Sequence, residues 1–136
     1  MNTFVQGQDV VFIPESSIPG ESTEWMMGKV QQVLGEGKAR RYKVQDADPD
    51  IPPDDRVEYR TSATKMVAIP PVGAELHNLD NGESVLALYP DSTTFHKAEV
   101  IGRDTATGGV YLHFEGEEKT DTIRLVERRF MFEYIS

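Results

Sequence analysis

At 136 residues the chain can form one domain, or two very small ones that share an interface. Apolar residues make up 38% and charged residues 27%, as in ordinary soluble globular proteins, and no apolar run approaches the roughly 18 residues that suggest a membrane helix. With 23 acidic and 14 basic residues the formal net charge is −9, which argues against binding nucleic acid through its phosphates and suits a basic partner, although surface acid can serve solubility alone.

In chain order, VQGQDVVFI (5–13), EWMMGKVQQVL (24–34), RRYKVQDA (40–47), RVEYRTS (56–62) and TKMVAI (64–69) are short runs rich in β-branched and aromatic residues. After a break come ESVLALY (83–89), FHKAEVIG (95–102), GGVYLHFE (108–115), DTIRLV (121–126) and RRFMFEYI (128–135). Turn residues separate them: PGES at 19–22, GEGK at 35–38, PDIPPDD at 49–55, DNGE at 80–83 and DTATGG at 104–109. Many short strands with frequent turns predict an all-β protein of small barrels or a sandwich. No long run has the 3.6-residue period of a helix. LVERRFMF could hold one helical turn, although Phe130, Phe132 and Tyr134 alternate as a strand would.

The sequence also repeats itself. Gly7-Gln-Asp-Val10 lines up with Gly82-Glu-Ser-Val85, and Trp25-Met-Met-Gly28-Lys-Val30 with Phe95-His-Lys-Ala98-Glu-Val100. Tyr42-Lys-Val44-Gln-Asp46 lines up with the segment from Tyr111 to Glu115. Two repeats are therefore expected, 5–68 and 72–136, joined through IPPVGAEL (69–76). Each is too small to hold a core alone, so the two should pack together.

The run VLALYPDSTTFHKAEV (85–100), followed by YLHFEGEE (111–118), resembles the tandem Tudor module of the SAGA-associated factor 29 family. GQDVVF, EWMMGKV and RRYKVQDAD agree in the first copy, so the resemblance runs from about Gly7 to Tyr134. It implies two tandem Tudor-like (SH3-like) small β-barrels packed face to face. It also implies a reader of the histone H3 tail di- or trimethylated at lysine 4, serving a nuclear SAGA-type histone acetyltransferase complex. By position, the methyl-lysine cage falls on Tyr89, His96 and Phe114. The acidic pair that holds the free N-terminus falls on Asp46 and Asp48. Glu115, Glu117 and Asp91 would be auxiliary. Two positions depart from the family pattern. His96 stands where tyrosine is usual, and would repel a cation if protonated. Gly116 stands where an acid often follows the cage phenylalanine.

Physics gives the same residues a rationale. A methylated lysine keeps its charge but becomes bulky and weakly hydrated, and aromatic faces meet both its charge and its methyl groups, for about 0.5–2 kcal/mol each. Such faces must lie bare at strand ends, as Tyr89 before Pro90 and His96 at the next strand's start would. Alternation separates Phe95 from His96; by analogy with Trp25, Phe95 is expected in the core and His96 at the surface. In the first repeat the cage positions read Pro14, Met26 and Gln45, so that repeat cannot form a cage there. It offers Asp46, Asp48 and Asp50, and two carboxylates suit a free α-amino group. Two such sites could act as a ruler, because three residue steps span roughly 10 Å when extended.

Plainer readings stand beside these. Tyr89 and Phe114 could be ordinary core aromatics, His96 a solvated histidine, and the acidic segment a solvated loop. DADPDIPPDDRV begins like a calcium loop, but Ile51 and Val57 occupy the positions an EF-hand gives to glycine and glutamate. The chain has no cysteine, which excludes disulfides, thiolate zinc sites and a cysteine nucleophile and fits an intracellular protein. MNTFVQGQDV lacks the basic and apolar regions of a signal peptide. No GxSxG, P-loop, HExxH or Rossmann motif is present, and His77, His96 and His113 have no metal-ligand spacing. No enzyme, cofactor, metal ion, membrane or direct nucleic-acid contact is therefore expected. The alternatives are an acidic β-barrel adaptor that docks a basic protein without reading methylation, or a methylarginine-binding Tudor module. Phe114→Ala is expected to abolish a methyl preference and barely affect acidic docking.

Overall fold

The computed structural model describes residues 3–15, 24–48 and 50–133; it has ten strands and, among those residues, no α-helix. The chain divides into two compact units, Met1–Ile69 and Pro70–Ser136. In the first, β1 (Asp9–Phe12), β2 (Trp25–Leu34), β3 (Arg41–Asp46), β4 (Glu58–Thr61) and β5 (Met66–Ala68) pair antiparallel in the order β5-β1-β2-β3-β4. The second unit has β6 (Ser84–Leu88), β7 (Thr94–Arg103), β8 (Val110–Phe114), β9 (Arg124–Val126) and β10 (Met131–Glu133). They pair antiparallel in the equivalent order, β10-β6-β7-β8-β9. The predicted turn at 19–22 and Tyr134 lie outside the described residues. LVERRFMF resolves into β9, a 3-10 turn at Arg128–Phe130, and β10.

Each long central strand carries a bulge at the same place, between Val30 and Gln32 in β2 and between Val100 and Gly102 in β7. A bulge adds one unpaired residue and bends the strand, which lets five short strands curl around one core. Each bulge is pinned from the preceding turn. Gly7 donates to the Val30 carbonyl and Val30 donates to that of Gln8; Gly82, Val100 and Glu83 repeat the pattern. Gly7 and Gly82 both have φ near +90°, at 88° and 89°, a conformation a side chain would strain.

Alternation then fills each interior. In the second unit Val85 and Ala87, Ala98 and Val100, Val110, Leu112 and Phe114, Val126 and Met131 form one buried cluster. In the first, Val10, Phe12, Val30, Tyr42, Val44 and Met66 do the same, with Phe4. The registers also correct the expected repeat alignment. Val10 pairs with Gly28 as Val85 pairs with Ala98, which agrees with it. However, Gly28 pairs with Asp46, whereas Ala98 pairs with Phe114. The third strands are thus offset by one from the letter match. Tyr42, fully buried, corresponds to Val110, while Tyr111 is 38% exposed on the outer face.

The two interiors reach similar packing by opposite size choices. Phe12 in the first unit corresponds to Ala87 in the second, and Gly28 to Ala98. A Cβ added at Gly28 would lie 2.6 Å from Val44 Cγ1, 2.7 Å from the Gln45 carbonyl oxygen and 2.7 Å from Phe12 Cε1. No rearrangement of side chains alone relieves a clash with a carbonyl. Gly28→Ala should therefore destabilise the chain by about 1–3 kcal/mol, the usual cost of overpacking. Urea unfolding of the two proteins checks this; an unchanged midpoint would contradict the tight packing at Gly28.

Candidate functional site

The inner-face rows do not stop at the core. Continued toward one end of the second unit, 85-87 reaches Tyr89, 100-98 reaches His96, 110-112 reaches Phe114, and 126 reaches Arg124. Four side chains from four strands thus meet where the buried cluster ends. His96 shares the face of Ala98 and Val100, the reverse of the expected assignment. Phe95 is buried on the other face, against Phe132 at 6.1 Å between ring centroids. The burial of Phe95 follows expectation, whereas His96, expected at the surface, is half-buried. The faces are reversed because the analogy with Trp25 judged burial without fixing the direction of the core.

A turn sets the direction of Tyr89. Ser92 N–H donates to the Tyr89 carbonyl, with Pro90 and Asp91 between them and Asp91 at φ 64°. Proline followed by a positive φ is the pattern of a type II turn. Ser92 Oγ also donates to the Tyr89 carbonyl at 2.9 Å, and Tyr89 N–H donates to the Thr94 carbonyl at 3.0 Å. Thr94 Oγ1 lies 3.0 Å from His96 Nε2 and fixes that ring from the same turn. The polar residues between the two aromatics therefore hold both of them.

Tyr89 and His96 meet at 87° with centroids 5.9 Å apart, the two walls of a corner. Phe114 stands against Tyr89 at 71° and 5.1 Å. It is only 1% exposed and belongs to the core cluster, while Tyr89 packs against that cluster and is half-buried. Phe114→Ala would thus delete a core ring, at about 3–5 kcal/mol, and cannot serve as a clean test of ligand contact. Tyr89 and His96 carry the accessible ring surface.

Arg124 and Glu117 complete the group. Tyr89 hydroxyl donates to Glu117 Oε2 at 3.0 Å. Arg124 Nη2 donates to Glu117 Oε2 and to the Tyr89 hydroxyl, each at 3.0 Å, and its Nε donates to Oε1 at 3.3 Å. The guanidinium carbon lies 5.3 Å from the Tyr89 ring centroid, within cation–π range. The sequence reading did not single out Arg124. Its signal was a charge at an inward position of DTIRLV, where the first unit places Tyr59 against Phe12. Glu115 and Asp91 are exposed. His113 Nε2 lies 3.3 Å from the Glu117 carbonyl oxygen, and His77 pairs with Glu133.

In the first unit the equivalent end carries Pro14, Met26, Tyr59 and, in the register of Phe114, Asp46. Asp46 Oδ1 accepts from Asp48 N–H at 3.0 Å, and Asp48 Oδ1 accepts from Asp50 N–H at 3.0 Å. Asp46 and Asp48 are half-buried and Asp50 is exposed. The two successive turns bring both carboxylates to the end of β3, with one oxygen of each held by the backbone. A separate cleft of about 460 Å³ in the second unit is lined by Leu76, Leu79, Val100, Arg103, Val110 and Arg128 among others, and by none of the ring cluster.

Comparison with known proteins places this geometry in context. Residues 6–134 match the family model described as the SGF29 tudor-like domain. The chain is 37% identical over 132 residues to the SAGA complex subunit Sgf29 of Schizosaccharomyces pombe, covering 97% of this chain and 54% of that one. It is 35% identical over 127 residues to the SAGA complex subunit SGF29 of Saccharomyces cerevisiae, covering 92% of this chain and 46% of that one. The chain thus spans about half the length of these relatives. Among solved structures, Arabidopsis thaliana AGDP1 AGD34 superposes with a TM-score of 0.52 at 19% identity, covering 96% of this chain and 82% of that one. That likeness concerns the fold alone.

The Glu117 carboxyl is held below the usual carboxylate range, chiefly by hydrogen bonds from Arg124 and, against the opposing effect of burial, by that from Tyr89. A depressed folded value means a contribution to stability that is present above the ordinary value of 4.5 and is lost as pH falls through the folded one. Arg124→Gln should therefore melt below the wild type at about pH 7, with the difference shrinking as pH falls below 4.5. Thermal melts across that range check it; a pH-independent difference would assign the effect to packing.

Proposed function

This chain belongs to the SGF29 tudor-like family, and from that premise we propose that it is a chromatin reader module for the N-terminal histone H3 tail di- or trimethylated at lysine 4. The observation that carries the reading is the corner of Tyr89 and His96, with Phe114 on the core side of Tyr89. Two ring faces at a right angle suit a large, weakly hydrated cation, which presents methyl groups and positive charge to both. Phe114 contributes through Tyr89, as the packed surface that keeps that ring upright.

The free N-terminal amine of the tail is the proposed ligand of Asp46 and Asp48. Each carboxylate keeps an oxygen beyond the one that its turn uses. Charge-assisted hydrogen bonds to an α-ammonium are worth roughly twice neutral ones. Exposed Glu115 and Asp91 are placed in the proposal as attractive charge for the tail's other basic residues. The module acts by binding, within a nuclear SAGA-type histone acetyltransferase complex that it directs to methylated chromatin. The relatives' names as SAGA complex subunits support that assignment.

Calorimetric titration with four H3-tail peptides tests the reading: unmodified, trimethylated at lysine 4, the same with an acetylated N-terminus, and trimethylated at lysine 9. The free-amine, lysine-4-trimethylated peptide should bind tightest, with the unmodified one weaker by roughly tens-fold. Tyr89→Ala should erase most of that ratio. Equal binding of all four peptides, lost together at high ionic strength, would instead indicate docking on acidic surface.

A further inference from the structure

The Glu117 carboxylate is engaged from within the unit, by Tyr89 and Arg124. Oε2 accepts from both the Tyr89 hydroxyl and Arg124 Nη2, and Oε1 accepts from Arg124 Nε. The Tyr89 hydroxyl gives its single proton to Glu117 and accepts from Arg124. Glu117 is shielded, with its side chain 18% exposed against 37% for Arg124. Arg124 comes from inside the fold: it faces Leu112 across β8 and β9, on the inner row with Val126.

This arrangement has a consequence for cations of different methylation. Ammonium groups with three, two or one methyl groups differ in the N–H donors they retain: none, one or two. A quaternary ammonium needs ring faces only. A dimethylammonium that enters the corner brings an N–H which must find an acceptor or lose its hydration without compensation. Glu117 is the carboxylate hydrogen-bonded to the corner's tyrosine; the guanidinium offsets its charge and bonds both its oxygens, and together with the Tyr89 hydroxyl it takes three of its roughly four acceptor sites.

We propose that Arg124 is a positioning residue that sets the methylation state accepted at the Tyr89–His96 corner: by engaging Glu117 it withholds the acceptor that a lower methylated ammonium requires, and so favours the quaternary form. The inference rests on the methyl-lysine reading above and deepens it.

The test compares binding of two H3-tail peptides, di- and trimethylated at lysine 4, to the wild type, Arg124→Met, Arg124→Lys, and Arg124→Met combined with Glu117→Leu, which leaves no side-chain acceptor at 117. The wild type should favour the trimethylated peptide. Arg124→Met, which keeps an apolar stem but frees Glu117, should shift the ratio toward the dimethylated peptide by about tenfold. The double variant should return the ratio to near the wild-type value. A purely structural role for Arg124 would weaken both peptides alike and leave the ratio unmoved, which would overturn the inference. Should Arg124→Met fail to fold, Arg124→Lys keeps the charge but loses the two-pronged geometry, and should move the ratio the same way by less; an unmoved ratio there overturns the inference equally. Failure of the wild type to bind either peptide would overturn the methyl-lysine reading itself, a different result from binding both with an unmoved ratio.

Discussion

The register of the central strand β7 is the constraint on which the ring cluster depends. Val100 is locked on both sides, by Gly82 and Glu83 from the preceding turn and by Leu112 across the sheet, and the bulge follows at once. From that anchor, inward positions are fixed at every second residue back to His96. A slip of one residue would carry Phe95 to the cluster and turn His96 outward, because side-chain direction has a period of two. Tyr89 and Phe114 depend on the same anchor, since β6 and β8 both pair with β7. The register that places the cluster is set by backbone hydrogen bonds some distance from the rings, which leaves the accessible faces of Tyr89 and His96 with few duties in folding.

One frame thus carries two chemistries. The strand orders and bulges of the two units agree, yet the inner row at the same end terminates in Pro14, Met26, Asp46 and Tyr59 in one and in Tyr89, His96, Phe114 and Arg124 in the other. The identity of a residue at a row's end is weakly constrained by packing, because it has core on one side only. One step further in, exchange is costly, and the units compensate instead, Phe12 with Gly28 against Ala87 with Ala98. The proposed binding residues therefore lie at the row ends, where substitution disturbs the core least. Phe114 is the exception, a row end that remains buried.

The strands were legible because alternation and turn residues are local signals, and the tandem repeat was legible because Gly7 and Gly82 hold the same unusual φ. The third strand pair was misaligned because two tyrosines invited a match by letter. The hairpin before β3 is longer than that before β8, since Val33 pairs with Tyr42 but Arg103 with Val110, and gap placement there is a tertiary matter. Face was misjudged at Phe95 and His96 for a related reason. The face of β7 away from the core also buries one large apolar side chain, Phe95, so the burial of that ring alone did not say which face holds the unit's core. Arg124 was illegible as a site residue because its partners, Tyr89 and Glu117, lie 35 and 7 residues away in sequence and meet it only through folding.

The charge distribution separates attraction from discrimination. The chain carries a net −9, a field that reaches about 10 Å at moderate salt and draws in any basic segment. The corner is built the other way: its carboxylate is matched by a guanidinium, and its rings attract through their quadrupoles at contact distance only. A free carboxylate at the corner would add attraction for every ammonium, methylated or not, and most for the least methylated. Cancelling that charge locally costs affinity but leaves recognition to the term that grows with methylation. An acidic surface around a neutral aromatic corner thus fits the proposed reading, in which the module attracts basic tails in general and retains one kind.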